Sequence, residues 1–319
     1  MPDRLHHLLG IEPLTRQQIE FLLEQSRPFQ EIQRHPLKKL ATLRGKSVAL
    51  AFFEPSTRTR ISFGTAAARL GADTMNLQAE SSSLRKGESL LDTVWTLEAM
   101  KPDCLVMRHS ASGAPEFVAE RVGIPVINAG DGTHEHPTQA LLDALTILDR
   151  KGRLDALNVT IVGDILHSRV ARSNLHLLSK FGARFTLTGP AMWLPRELEC
   201  LVPNVRREPR IEAALEDAEI VLALRVQQER LHEPQLSLDD YILLYQLTPE
   251  RLRRARPDAL VLHPGPMVRG LEIDPEVADG PQSCILEQVT NGVAVRMALL
   301  YLLLGGPPAE TKETARAAD

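Results

Sequence analysis

Short apolar or β-branched runs alternate with helically periodic segments along most of this chain, and that alternation limits the fold more than any other feature. Strands are expected at 47–53, 73–77, 103–108, 125–128, 158–162, 184–188, 219–224 and 259–262. Helices are expected at about 15–34, 88–100, 137–151 and 170–180. Such alternation implies parallel sheets with helices on both faces, because the crossover helices cover the two apolar sides. The helix at 137–151 is followed by GRLDALNVTIVGD, where a second series begins. The fold class expected is therefore α/β, with two αβα domains, 1–150 and 151–285, each on a mainly parallel sheet. A long apolar helix at about 286–304 is expected to pack back on the first domain. The Gly/Pro break and polar tail GGPPAETKETARAAD, 305–319, are expected to be disordered.

The 319 residues are enough for two domains of ordinary size. Net charge is 37 − 41 = −4, which argues against a general nucleic-acid or membrane-surface binder and makes any positive field local. Cys104, Cys200 and Cys284 are odd in number and lack C-x-x-C spacing, so neither a disulfide framework nor a zinc knuckle is indicated. MPDRLHHLLG has no apolar signal-peptide core, and VAVRMALLYLLLG is interrupted by Arg296 and too short to span a bilayer. A cytoplasmic location is the expectation.

One stretch asks for a ligand. FFEPSTRTRISF, Phe52 to Phe63, joins the expected strand SVALAFFEP to a helical pattern that ends on Gly71. Three hydroxyls and two guanidiniums thus fall on a helix N-terminus, where backbone N–H groups point outward and the dipole favours an anion. A phosphate fits that arrangement. The plainer alternative is an N-cap at Ser56 or Thr57 followed by solvated arginines.

Four further stretches stand at strand ends, where ligands of open α/β sheets gather. They are MRH (Met107 to His109), HEHPTQ (His134 to Gln139), RVQQER (Arg225 to Arg230) and LHPGP (Leu262 to Pro266). Taken singly, Arg108 reads equally as a surface arginine and His136 as a helix cap. His134 and His136 have no carboxylate or cysteine cluster to complete a metal site. A nicotinamide site after TIVGD is discounted, because the glycine following Gly163 is Gly182 and no G-x-G-x-x-G forms. No P-loop signature occurs either.

Taken together, STRTR, SSSLRKGES, MRH, HPTQALLD, IVGDILHSR, LRVQQER and LHPGP occur in the order that resembles the aspartate and ornithine carbamoyltransferase family, over nearly the whole folded chain. RVQxER with HP-x-P resembles the aspartate branch, and the H-C-L-P segment and S-M-G loop of the ornithine branch are missing. The resemblance implies transfer of a carbamoyl group from carbamoyl phosphate to the α-amine of L-aspartate, the committed step of pyrimidine synthesis, in a cleft between the two domains. It implies a phosphate held by Ser56, Thr57, Arg58, Thr59 and Arg108, where each charge-assisted bond contributes about 1.5–3 kcal/mol. Thr59, Arg108 and His136 would polarise the carbonyl oxygen, while Gln139 and the carbonyls of Gly265 and Pro266 accept from the carbamoyl NH2. Arg60 would brace the loop.

The same resemblance gives Arg169, Arg225, Gln227 and Lys86 to the aspartate carboxylates and amine, with Lys86 bridging toward both substrates. No metal or organic cofactor is required. Composition alone makes SSSLRKGES a solvated loop; the family instead inserts it, with Lys86, into a neighbouring subunit, making a homotrimer the minimum active unit. A regulatory or dihydroorotase partner is left open, and no nucleic-acid or membrane partner is expected. The chain departs from the family pattern at three places. Gly265 replaces a common leucine, Val170 replaces a common threonine after Arg169, and the Lys86 loop is a residue shorter than some, leaving Ser82 or Ser83 as the phosphate-contacting serine. The alternatives are ornithine carbamoyl transfer and, from another class, a non-catalytic scaffold, which would have no use for intact STRTR, Lys86, Arg108, His136 and Gln139.

Overall fold

A computed structural model describes residues 5–78, 87–226 and 237–305. The chain divides into two compact units, residues 1–142 with 290–319, and residues 143–289. In chain order the elements leading through the first unit are α1 (Arg16–Arg34), β1 (Ser47–Phe52), α2 (Thr57–Leu70), β2 (Asp73–Gln78), α3 (Leu90–Ala99), β3 (Cys104–His109), α4 (Ala114–Ala119), β4 (Val126–Asp131) and α5 (Pro137–Lys151). Its four-stranded sheet has the order β2-β1-β3-β4 and every pairing is parallel. Strands β1, β3 and β4 are buried along most or all of their length, as sheets covered on both faces must be. Leu8 bridges Ile127 on the open side of β4 and so extends the sheet toward the N-terminus.

Local chemistry accounts for several boundaries. Helix α1 begins where Thr15 and Gln18 form a capping box. Helix α2 ends on Gly71 in the left-handed conformation, and Cys104 and Cys284 are buried apolar fillers. Strand β4 runs to Asp131, beyond the expected end at residue 128, because buried partners accommodate its polar end.

The second unit continues with β5 (Asn158–Val162), α6 (Arg169–Ser179), β6 (Arg184–Thr188), β7 (Val205–Arg207), α7 (Ile211–Ala214), β8 (Ile220–Ala223), α8 (Leu238–Tyr245), α9 (Pro249–Leu252), β9 (Leu260–Leu262), α10 (Pro275–Ala278) and α11 (Ile285–Leu303). Its five strands lie in the order β7-β6-β5-β8-β9, again wholly parallel. Helices α5 and α11 each contribute residues to both units. In the first unit, Arg296 of α11 is buried and donates to Ser62 Oγ of α2 (2.8 Å) and Thr138 Oγ1 of α5 (3.2 Å). One cation thereby ties the two helices that begin at STRT and at HPTQ.

Candidate active site

Parallel strands put all their C-terminal ends on one side, and in the first unit β1, β3 and β4 are consecutive neighbours. Residues 53–60, 108–109 and 131–139 therefore share one edge of the sheet. Phe53 N–H donates to Arg108 O (2.8 Å), and Arg108 Nη2 donates to Glu54 Oε1 (2.9 Å). A longer contact, 3.4 Å, joins Arg108 Nη1 to Ala129 O on β4. The guanidinium thus spans all three strand ends, in a side chain only 12% exposed.

Ser56 occupies the N-cap position of α2 in extended conformation, but its side chain makes no capping hydrogen bond. Thr15, Ser89, Ser168 and Ser237 stand at the same position of other helices, and there each hydroxyl does accept from the first turn. The plain capping role considered for Ser56 is therefore not the one observed. The first turn, Thr57 to Arg60, keeps the anion-attracting end of its dipole without that acceptor. Thr59 is buried at this turn and Arg58 is exposed.

His136 and Gln139 are buried, and His136 O accepts from Gln139 N–H (2.9 Å) at the start of α5. The turn carrying His136 is held by two carboxylates that the motifs did not single out. Buried Asp131 accepts from Gly113 N–H (2.6 Å), Asn128 Nδ2 (2.8 Å), Glu135 N–H (3.1 Å) and His134 Nδ1 (3.0 Å). Glu135 Oε1 accepts from Ile11 and Glu12 N–H at 2.8 and 3.0 Å. Gly132 has φ +43°, and a Cβ there would stand 2.3 Å from Ser112 Oγ, so this turn admits no side chain. Burial raises the Asp131 carboxyl pKa, but the bonds from His134, Asn128 and Gly113 outweigh it and hold the group below its ordinary value. The hydrogen bond that His134 donates to Asp131 in turn raises the His134 pKa above its ordinary value. His134 is accordingly engaged as the partner of Asp131. Among the described residues, no group of three or more His, Cys, Asp or Glu is arranged to hold a metal ion, and no helix is long and apolar enough to cross a membrane.

In the second unit β5, β8 and β9 are neighbours, and their C-terminal ends carry Arg169, Arg225 and the His263–Pro266 segment. Gly163 follows β5 with φ +122°, and a Cβ there would lie 3.1 Å from Tyr241 Oη and 3.3 Å from Leu224 O. Buried Asp164 then accepts from His167 N–H and Nδ1, and Ser168 caps α6, so Arg169 becomes the first helical residue. Arg225 follows β8 and is half-buried. His263 Nδ1 accepts Gly265 N–H (2.9 Å), which leaves the ring proton on Nε2, 3.2 Å from Glu272 Oε1. The Gly265–Pro266 bond is cis. Lys86, Ser82, Ser83 and Gln227 lie outside the described residues.

The profile of the aspartate/ornithine carbamoyltransferase carbamoyl-P binding domain matches residues 6–149, and that of the Asp/Orn binding domain of the same family matches residues 155–303. The aspartate carbamoyltransferase catalytic subunit of Solibacter usitatus is 58% identical over 93% of this chain and 99% of its own length. Aspartate transcarbamoylase from Trypanosoma cruzi, solved in complex with carbamoyl phosphate, superimposes with a TM-score of 0.85 at 31% identity, over 94% of this chain and 96% of that one. Ornithine carbamoyltransferase from Pyrococcus furiosus does so with a TM-score of 0.82 at 28% identity, over 95% and 98%. With the two domain profiles together matching most of the chain and near relatives aligned over almost their full length, this chain belongs to the aspartate/ornithine carbamoyltransferase family.

Proposed function

We propose that the chain transfers the carbamoyl group of carbamoyl phosphate to the α-amine of L-aspartate, giving N-carbamoyl-L-aspartate and phosphate in the pyrimidine pathway. The observation that carries this reading is the 58% identity to an aspartate carbamoyltransferase catalytic subunit. The backbone does not choose between branches, since aspartate and ornithine enzymes both superimpose with TM-scores above 0.8. Side chains do. Arg169 and Arg225, with Lys86, favour a dicarboxylate and repel the side-chain ammonium of ornithine.

In this reading Ser56, Thr57, Arg58, Thr59 and Arg108 hold the phosphate. Thr59, Arg108 and His136 face the carbonyl oxygen, and Gln139 with the Gly265 and Pro266 carbonyls takes the carbamoyl NH2. Arg169, Arg225, Gln227 and Lys86 orient aspartate. The neutral amine attacks the carbonyl carbon, negative charge gathers on its oxygen, and the bond to the bridging phosphate oxygen breaks. The departing phosphate accepts the proton that the amine loses, so the chemistry needs no covalent enzyme intermediate. Orientation and electrostatics then supply the rate. A cytoplasmic homotrimer with shared sites, the Lys86 loop entering the next subunit, completes the proposal.

The acceptor assignment is tested with Arg225→Ala and with succinate, which has both carboxylates but no amine. The variant should raise KM for aspartate strongly, on the order of tenfold or more for a lost charge-assisted pair, with KM for carbamoyl phosphate little changed. Succinate should compete with aspartate in the wild type. Failure of succinate to compete would remove the dicarboxylate site.

A further inference from the structure

A buried hydrogen-bonded chain in the second unit joins two elements to which the proposed function gives substrate contacts. Asp143 of α5 accepts from Asn174 Nδ2 of α6 through Oδ2 (2.9 Å) and from Gln288 Nε2 of α11 through Oδ1 (2.6 Å). Gln288 Oε1 accepts His263 N–H (2.9 Å), and His263 Nδ1 accepts Gly265 N–H (2.9 Å). Beyond it, Glu272 Oε1 takes His263 Nε2 (3.2 Å) and Val268 N–H (2.5 Å). At the other end Asn174 Nδ2 also reaches Val170 O (3.0 Å), in the turn that opens with Arg169. Asp143, Asn174, His263, Glu272 and Gln288 are all buried.

The direction of every bond is forced. The His263 backbone N–H can only donate, so Gln288 presents its oxygen there and its nitrogen to Asp143, and the Val170 carbonyl can only accept, so Asn174 presents its nitrogen to both Val170 O and Asp143. Flipping either amide would place donor against donor or acceptor against acceptor, and in a dry interior such a mismatch costs more than the bond is worth. The chain therefore has one arrangement, and it fixes the turn of Arg169 relative to the Gly265–Pro266 segment.

We propose that Asp143 and Gln288 are positioning residues, which keep Arg169 and the Gly265–Pro266 carbonyls in the mutual register that orients aspartate and the carbamoyl NH2 together. This rests on the proposed function and adds to it residues that touch neither substrate. The expected cost of losing register is large, because a misplacement of about 1 Å by a remote mutation lowers rate on the order of 10²-fold.

A reciprocal swap tests it. Asp143→Asn sets an amide donor against Asn174 or Gln288, and Gln288→Glu sets a second carboxylate against Asp143. Combining the two moves the charge to position 288 and restores each pairing. The new amide at 143 accepts from Asn174 and donates to the new carboxylate, which also accepts the His263 N–H. Each single variant should lower kcat/KM for aspartate on the order of tenfold or more, with KM for carbamoyl phosphate within about threefold, and the double variant should return to within about threefold of wild type. The Kd for N-(phosphonacetyl)-L-aspartate, a ligand of the Trypanosoma cruzi enzyme, should follow the same pattern. If one single variant fails to fold, the other and the double decide the matter. The inference is overturned by single variants with wild-type kcat and KM, by a double that melts like wild type but stays as slow as the singles, or by a double that does not fold. A wild type without carbamoyl-aspartate product would instead overturn the proposed function, and this inference with it.

Discussion

Replacing Arg108 with methionine keeps an unbranched apolar stem and removes the guanidinium with its charge. In the structure its Nη2 donates to Glu54 Oε1 at 2.9 Å, with side-chain exposures of 12% and 19%. A hydrogen bond between charged groups contributes about 1.5–3 kcal/mol. Partial exposure keeps the loss below the ~3–5 kcal/mol of breaking a fully buried pair. In a unit of this size about 1.5–3 kcal/mol corresponds to a fall in Tm of about 3–12 °C. The proposed role against the carbonyl oxygen and phosphate adds a far larger effect on rate, on the order of 10²–10³-fold in kcat. Arg108→Lys separates the two. Lysine can still reach Glu54, so most of the Tm should return, but it lacks the planar fork that serves two acceptors at once, so most of the activity should not. The assay is kcat and KM for both substrates beside thermal denaturation of the same preparations. A methionine variant that melts early yet keeps kcat within about threefold would refute the reasoning and leave Arg108 a structural ion pair.

Two other predictions address assembly and pH. If Lys86 serves a neighbouring subunit, inactive Lys86→Gln and Arg108→Ala chains should regain part of the activity after dissociation and mixing, because some interfaces then carry both native residues; proven exchange without recovery would count against a shared site. For His134, whose pKa is raised by its bond to Asp131, the NMR titration midpoint should lie above the ordinary imidazole value of about 6.5. The stabilising contact is then complete below that value and is lost as pH rises through the folded midpoint, so the Tm difference between wild type and His134→Ala should shrink over that range. A midpoint at or below the ordinary value would contradict the pairing.

What the sequence disclosed, and what it withheld, follows from how local each feature is. The strand–Pro–STRT–helix handover was readable because a helix N-terminus is made by consecutive residues, and α2 does begin at Thr57. The parallel architecture was readable because buried strands leave continuous apolar runs. Strand β7 was not, being three residues long and partly exposed. The six-residue helix α4 is likewise shorter than two turns, too short for an apolar pattern to repeat, and its N-cap glycine gives no polar signal. Asp131 and Glu135 sat inside quoted or adjacent motifs, but nothing in GDGTHEH says that they hold the turn and not a ligand. Asp143 and Gln288 meet across 145 positions, a separation no spacing rule reaches. The capping alternative at Ser56 needed the geometry of its own hydroxyl to be judged.

The central claim is the identity of the acceptor, and product analysis reaches it most directly. Purified protein is incubated with 13C-labelled carbamoyl phosphate and either L-aspartate or L-ornithine, and the carbamoyl carbon is followed by NMR while phosphate is measured in parallel. With aspartate the label should move to a ureido carbon as phosphate appears in equal amount, and with ornithine it should stay on carbamoyl phosphate apart from slow hydrolysis. Faster labelling of ornithine, or no ureido product from aspartate, would contradict the account.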